Sequence, residues 1–181
     1  SQLETEGELG WLDRRALKSL AEQYEVNWNP EDMAAIGTRL WRRVDIIPPE
    51  LAIAQAAKES GWGRSRFAIE VNNLFGQWCY TPGCGAVPKQ RPADATHEVA
   101  AFDSVSESIR RYMNNLNSHA RYEELRQRRA SLRLQNQAIT GADLAPGLLG
   151  YSERGAIYVE EVIGMMRQNR QILAQVRDTT S

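Results

Sequence analysis

Apolar residues recur at helical spacing along most of the chain, and the places where that spacing breaks mark out the elements. Leu12, Ala16, Leu20 and Ala21 share one side of a helix predicted over about residues 11 to 23. Pro30, Glu31 and Asp32 open a second helix through Met33, Ile36, Leu40 and Trp41. Pro48 and Pro49 set a sharp start, the second at the first helical position, and Glu50 to Ser60 runs without a breaker to Gly61. From Leu74 to Ala101 the pattern changes: Gly, Pro and Thr cluster around short β-capable pieces at Ala86 to Val87 and Thr96 to Phe102, which predicts a hairpin or ribbon. Helix resumes at Ser104, which forms a capping box with Glu107 and leads into Ile109, Met113 and Leu116. Two further helices are expected over about residues 122 to 138 and 155 to 176, with Asp143 to Glu153 as the loop between them, broken by Pro146, Gly147 and Gly150. The expected class is mainly α (α+β).

Composition narrows the partners. The 181 residues are 42% hydrophobic and 25% charged, which suits a globular chain with a real core. The two N-terminal helices, residues 1–44, are expected to pack on the same domain as residues 45–181. A formal net charge of −1 argues against nucleic acid as partner, because neutralising phosphates needs a basic surplus. No window approaches the roughly 20 consecutive apolar residues of a membrane span, so the chain is expected to be soluble.

The residue that needs a reason is Glu59. It stands in the last turn of an apolar helix, before Ser60, Gly61, Trp62 and Gly63. The macrodipole is negative there and an indole excludes water, so both effects favour the neutral acid over the anion. A carboxylic acid that keeps its proton is a ready donor to the leaving oxygen of a glycosidic bond. Gln55 and Ala52 share the helix face of Glu59, polar and small where a cleft would lie, while Ile53 and Ala57 point elsewhere toward a core. Against this stands the ordinary fate of a glutamate near a helix end, a solvated surface residue.

The run LAIAQAAKESGWGRSRFAIEVNNLFG resembles the signature of bacterial peptidoglycan N-acetylglucosaminidases, the glucosaminidase domain of glycoside hydrolase family 73. FDSVSESIRRYMNNLNSHARYEELR and GYSERGAIYVEEVIGMM are similar to later helices of that family, in particular its Bax-type bacterial members. The resemblance covers about residues 45 to 175. It implies a lysozyme-like helical domain with a small β lobe, at about residues 77–102, beside a glycan cleft. It also implies Glu59 as general acid and peptidoglycan glycan strands as substrate, while the expected exported, periplasmic location rests mainly on a bridge between Cys79 and Cys84. Asn73 to Gly76 match the turn beneath the cleft, with Asn73 as scaffold, as a contact to an acetamido group, or as a residue that orients Glu59. Tyr151 stands where the family places a tyrosine facing the reacting sugar, and Tyr158, two helical turns on, is the second choice.

The second catalytic group is open. Asp94 and Glu98 are the carboxylates on the expected β lobe, and neither aligns convincingly; Asp103 reads as part of the next helix start. The substrate's acetamido group could serve as nucleophile, with Tyr151 assisting. Alternatives to hydrolysis are a lytic transglycosylase, whose usual downstream motif NNLFGQW does not match, and a catalytically silent glycan-binding or assembly module. Trp62 and Trp78 could stack on sugars or pack in the core, whereas Trp11, Trp28 and Trp41 read as packing residues. Cys79 and Cys84 flank turn-forming Thr81, Pro82 and Gly83, so a local disulfide is expected rather than two free thiols. Neither His97 nor His119 offers a zinc spacing with them, and no metal or organic cofactor is implied. The Arg-rich stretch ARYEELRQRRASLRLQ alternates in sign and reads as a solvated helix face, with an anionic wall polymer as the functional alternative.

Overall fold

The computed structural model describes residues 10–89, 91 and 95–172, and the chain divides into two compact units, Ser1–Asp45 and Ile46–Ser181. The first holds α1 (Trp11–Gln23) and α2 (Met33–Arg43). Asp32 caps α2 by accepting from the Ala35 N–H at 3.2 Å, so the helix starts at Met33 rather than at Pro30. Ala21, Val26, Ile36 and Leu40 form this unit's own core, with Trp28 packed against it. Trp11 and Trp41 are exposed, contrary to the packing role expected of them, because they fall off the apolar stripe.

The second unit is built around α3 (Pro49–Ser60), which packs against α7 (Gly141–Leu144) and α8 (Ala156–Gln168). Pro49 occupies the first turn, and Gly61 ends the helix with φ 57°. Leu51, Ala54, Phe75, Leu116, Leu125, Leu144, Leu148 and Val162 fill the core. Between α3 and the β region lies a six-residue helix, α4 (Arg66–Val71), that periodicity did not predict. Local capping makes it: the Ser65 hydroxyl accepts from Ala68 N–H, and Asn72 turns left-handed at the other end.

The β lobe has three short strands, β1 (Trp78–Cys79), β2 (Gly85–Ala86) and β3 (Glu98–Ala100), ordered β1-β3-β2. Both pairs are antiparallel, with Trp78 opposite Val99 and Ala86 also opposite Val99. The last strand is therefore the central one, and the outer two are joined through the Cys79–Cys84 disulfide. Gly85 must be glycine: a Cβ there would meet the Val99 carbonyl oxygen at 1.9 Å.

Helix α5 (Val105–Ser118) begins as expected, with Ser104 accepting from Glu107 N–H at 3.2 Å. The returning half of the box closes one residue early, on the Asp103 N–H at 3.0 Å. Helix α6 (Glu123–Leu134) stops short of Ala138. The segment expected to be an open loop instead contains α7 and a 3-10 turn, Ala145–Leu148. Leu144, Ala145 and Leu148 are fully buried, so this segment is core, and Gly147 lets it approach α6 so closely that a Cβ would lie 2.4 Å from Leu125 Cα.

The Arg-rich helix also differs from its reading as a solvated face. Arg126 and Arg129 are buried. Arg126 donates to the carbonyls of Leu116 and His119 and pairs with Glu123 at 2.7 Å. Arg129 donates to the Ile46 carbonyl and to Asn117, each at 2.7 Å. A guanidinium with five donors can satisfy the open carbonyls at the end of α5, and this use fixes both arginines inside. Arg128, on the outer side, pairs with Glu124 in the solvated way expected.

Candidate active site

Glu59 lies half-buried in the last turn of α3. The backbone after it makes three consecutive left-handed residues, Gly61, Trp62 and Gly63, with φ of 57°, 60° and 75°. For Trp62, which carries a Cβ, that conformation costs about 1 kcal/mol. Ser60 holds the turn: its hydroxyl donates to the Ala56 carbonyl at 2.6 Å and accepts from Gly63 N–H at 2.7 Å.

Tyrosines wall the carboxyl. Tyr158, on the buried face of α8, lies beside Glu59, near enough for its hydroxyl to favour the ionised carboxylate. The Tyr151 ring stacks on Tyr158 with centroids 5.4 Å apart and planes 11° from parallel, and its hydroxyl donates to the Phe75 carbonyl at 2.9 Å. Tyr122 stands 6.1 Å from Tyr151. Beneath them runs the Asn73–Gly76 turn. At Gly76, φ is 62° and a Cβ would come within 3.6 Å of a Glu59 carboxyl oxygen, so the backbone approaches the acid where only glycine sits without strain. Burial raises the Glu59 pKa above the usual carboxylate value, against smaller lowering effects from the Tyr158 hydroxyl and from Lys58. Lys58 is itself held by Glu161, which also takes Arg154 at 2.8 Å. Burial likewise pushes Tyr151 and Tyr158 well above the ordinary phenol range, so both stay neutral.

The structure gathers Glu59, Tyr151 and Tyr158 in one place and reassigns several neighbours. Gln55 shares the Glu59 face but is 0% exposed, donating to Tyr158 and accepting from Tyr112, so it supports the wall rather than lining a cleft for substrate. Asn73 is buried as well. Its amide donates to the Gln77 and Ala100 carbonyls at 2.8 Å and accepts from Gln77 N–H at 3.0 Å, leaving no hydrogen for an acetamido group. Trp62 is 59% exposed and lines an apolar cavity of about 320 Å³ with Ala56, Ser60 and Ile109. The expected apolar cover over the acid is thus better supplied by the tyrosines. Ile53, expected to point into a core, also lines that cavity. Trp78 is 58% exposed with one face against His97, centroids 4.2 Å apart.

Glu98 is buried on β3, and its two carboxylate oxygens accept from Gly83 and Gly85 N–H at 3.1 and 2.9 Å. Those bonds, the Gly83 one first, hold its pKa below the usual value. It pins the disulfide loop, a job that explains its burial without catalysis. Asp94 lies outside the described residues. Cys79, Cys84 and Glu98 gather within 4.8 Å, but the sulfurs are bonded to each other and the carboxylate is occupied, so the trio has no free donors for a metal. Tyr112 and Tyr122 were missed from sequence. Tyr112 lies one helical turn from both Ile109 and Leu116 on α5, and a tyrosine within an apolar stripe is the one signal that could have flagged it.

A raised carboxylic acid under a tyrosine wall, set against a small disulfide-pinned β lobe, fits a glycosidase domain. The chain belongs to the glucosaminidase family: residues 34–171 match its sequence pattern, described as mannosyl-glycoprotein endo-beta-N-acetylglucosaminidase. It is similar to protein bax of Escherichia coli strain K12, with 35% identity over 169 residues that make up 93% of this chain and 60% of that protein. The chain therefore spans about three fifths of the curated relative it matches. No solved structure matches it significantly.

Proposed function

We propose that this chain is a peptidoglycan hydrolase that cuts the glycan strand at N-acetylglucosamine, with Glu59 as general acid. The observation that carries the reading is the half-buried carboxyl of Glu59, raised by burial, with the Gly76 backbone close against it and Tyr158 beside it. In the first step Glu59 gives its proton to the leaving glycosidic oxygen. Because Glu98 is committed to the Gly83 and Gly85 amides, the acetamido oxygen of the substrate is the better nucleophile at the anomeric carbon. Water then opens the resulting cyclic ion, and Glu59 takes the proton that the water loses. Tyr151 gives its one hydrogen to the Phe75 carbonyl, so its part in this reading is to share the developing charge through its ring and hydroxyl oxygen. Trp78 offers an exposed stacking surface on the β lobe. The paired cysteines support an exported, cell-envelope setting.

The commitment of Glu98 also keeps a second reading in play, since a lytic transglycosylase works with one glutamate and ends in an anhydro sugar. Digestion of purified sacculi followed by mass spectrometry separates the outcomes. Hydrolysis predicts reducing N-acetylglucosamine ends, transglycosylation predicts anhydro ends, and a silent binding module releases nothing. Glu59→Gln should lower release at least about 100-fold, the usual worth of a general acid. Near-normal release by a folded Glu59→Gln protein would remove Glu59 from the reaction.

A further inference from the structure

Two residues past the glycine that lies against the acid, the chain presents an indole with one face covered and one open. Gln77 fixes the link between them. Its N–H donates to Asn73 Oδ1 at 3.0 Å, its carbonyl accepts from Asn73 Nδ2 at 2.8 Å and from Ala100 N–H at 2.9 Å, and its side chain donates to the Ser108 carbonyl at 2.9 Å. Gly76 approaches the Glu59 carboxyl, and two residues of backbone span at most about 7 Å, so Trp78 is held within a short oligosaccharide's reach of the acid. Trp78 stands opposite Val99 in the β1–β3 pair, which makes His97, two residues before Val99, its diagonal neighbour. β1 ends at Cys79, before Tyr80 would come opposite His97, and the imidazole lies on Trp78 instead, with centroids 4.2 Å apart and planes 14° from parallel. Arg91 donates to the Thr96 and His97 carbonyls at 3.4 and 3.2 Å, which steadies the backbone that carries the imidazole.

Core packing does not account for this pair. His97 is half-buried, but Trp78 keeps 58% of its surface exposed, and with one face under the imidazole that exposure belongs to the opposite face and the ring edge. The C–H face of a pyranose is apolar and slightly positive, which suits the negative face of an indole. An indole already held in place loses less freedom when a sugar ring stacks on it than one left to rotate in water. We propose that His97 is a positioning residue that backs Trp78 and holds its free face as a stacking subsite for an N-acetylamino sugar of the glycan strand. The inference rests on the proposed glycan substrate and adds a subsite whose work is binding rather than chemistry. A contact made equally in the ground and transition states lowers KM without raising kcat.

Binding is read by calorimetry with a peptide-free tetrasaccharide of alternating N-acetylglucosamine and N-acetylmuramic acid, in the whole chain carrying Glu59→Gln so that the probe stays intact. Trp78→Ala should weaken binding about tenfold and His97→Ala about threefold, while His97→Phe, which keeps a flat ring against the indole, should restore it. In the chain with Glu59 intact, the two alanine variants should raise KM by similar factors rather than lower kcat. A histidine that only holds the lobe together would act through its fold, so exchange protection at the Gly83 and Gly85 amides, which Glu98 accepts, is followed alongside. If His97→Ala loosens the lobe, His97→Leu, which fills the space without a flat ring, decides the question by the same loss of affinity. Native affinity in Trp78→Ala, or in the histidine variant whose lobe is intact, overturns the proposal, and so does a loss in His97→Phe equal to that in His97→Ala. A wild-type protein that binds the tetrasaccharide in the expected pattern but leaves sacculi uncut sinks the proposed activity and keeps the subsite; normal cutting with native affinity in the variants does the reverse.

Discussion

At the scale of single residues, two carboxylates with opposite shifts do opposite work. Glu59 has a raised pKa and keeps its proton below its folded value; as the acid proposed above, it should let turnover fall as pH rises through that value, later than for an ordinary glutamate. Glu98 has a lowered pKa, so the stability it adds is present above the unfolded glutamate value of about 4.3 and is lost as pH falls through the folded one. Glu98→Gln should thus loosen the β lobe at neutral pH while leaving cleavage nearly normal. Hydrogen exchange at Gly83 and Gly85 together with kinetics on a defined glycan fragment checks both halves, and a dead variant with a protected lobe would restore the two-carboxylate mechanism. Asp94→Asn should be equally mild in the same assay. Tyr151→Phe should lower turnover much more than binding, and orphaning the Phe75 carbonyl should also cost about 1 kcal/mol of stability in a denaturant titration. Full activity in Tyr151→Phe would take its hydroxyl out of the mechanism. The place of Glu59 in the last turn of α3 could be read from sequence because a helix end and its stop signal are local features. Gln55 shares the Glu59 face as read, but a helical wheel gives direction and not depth, and both Gln55 and Asn73, whose reading was left open between scaffold and site, have their polar groups satisfied from inside the protein.

Elements were readable where capping chemistry or strict periodicity spoke, and misread where tertiary contact decided. The ends of α3 and the start of α5 fall where Pro49, Gly61 and Ser104 put them. The stretch 143–153, rich in Gly and Pro, looked like a surface loop because breakers say nothing about burial; Leu144, Ala145 and Leu148 carry it into the core against α6. Strand order was also beyond periodicity, because strands of two or three residues take their partners from the disulfide and from the Glu98 anchor. Two element-level tests follow. Reduction of Cys79–Cys84 releases a short loop, and the lobe should lose about 2 kcal/mol locally while α3 and α8 keep their protection. Exchange protection mapped before and after reduction reads this directly, and global unfolding would show that the lobe is more than a local attachment. In the turn under the acid, Gly76→Ala should be destabilised by about 1 kcal/mol through its φ of 62°, with the new methyl leaning on the carboxyl.

For the whole molecule, the two compact units and the extent of the family match do not coincide. The match begins at residue 34, just inside α2, whereas the division of the chain falls after Asp45. Each unit has its own buried cluster, and α2 gives Ile36 and Leu40 to the first one, against Ala21 and Val26. Everything assigned to the acid, from Gln55 to Tyr158, belongs to the second, and so does the Ile46 carbonyl that holds Arg129. We therefore expect two shortened forms to behave differently. A chain beginning at Asp45 keeps Ile46 and the complete second core, and it should fold cooperatively and cut sacculi at a rate near that of the full chain. A chain beginning at Glu31 keeps α2 without Ala21 and Val26, exposing Ile36 and Leu40 on one helix face; it should bind hydrophobic dye and associate at micromolar concentration. Calorimetry, dye binding and sacculus digestion on both forms check this. If the Asp45 form is folded but inactive while the Glu31 form is active, α2 is part of the catalytic domain in function as well as in family match.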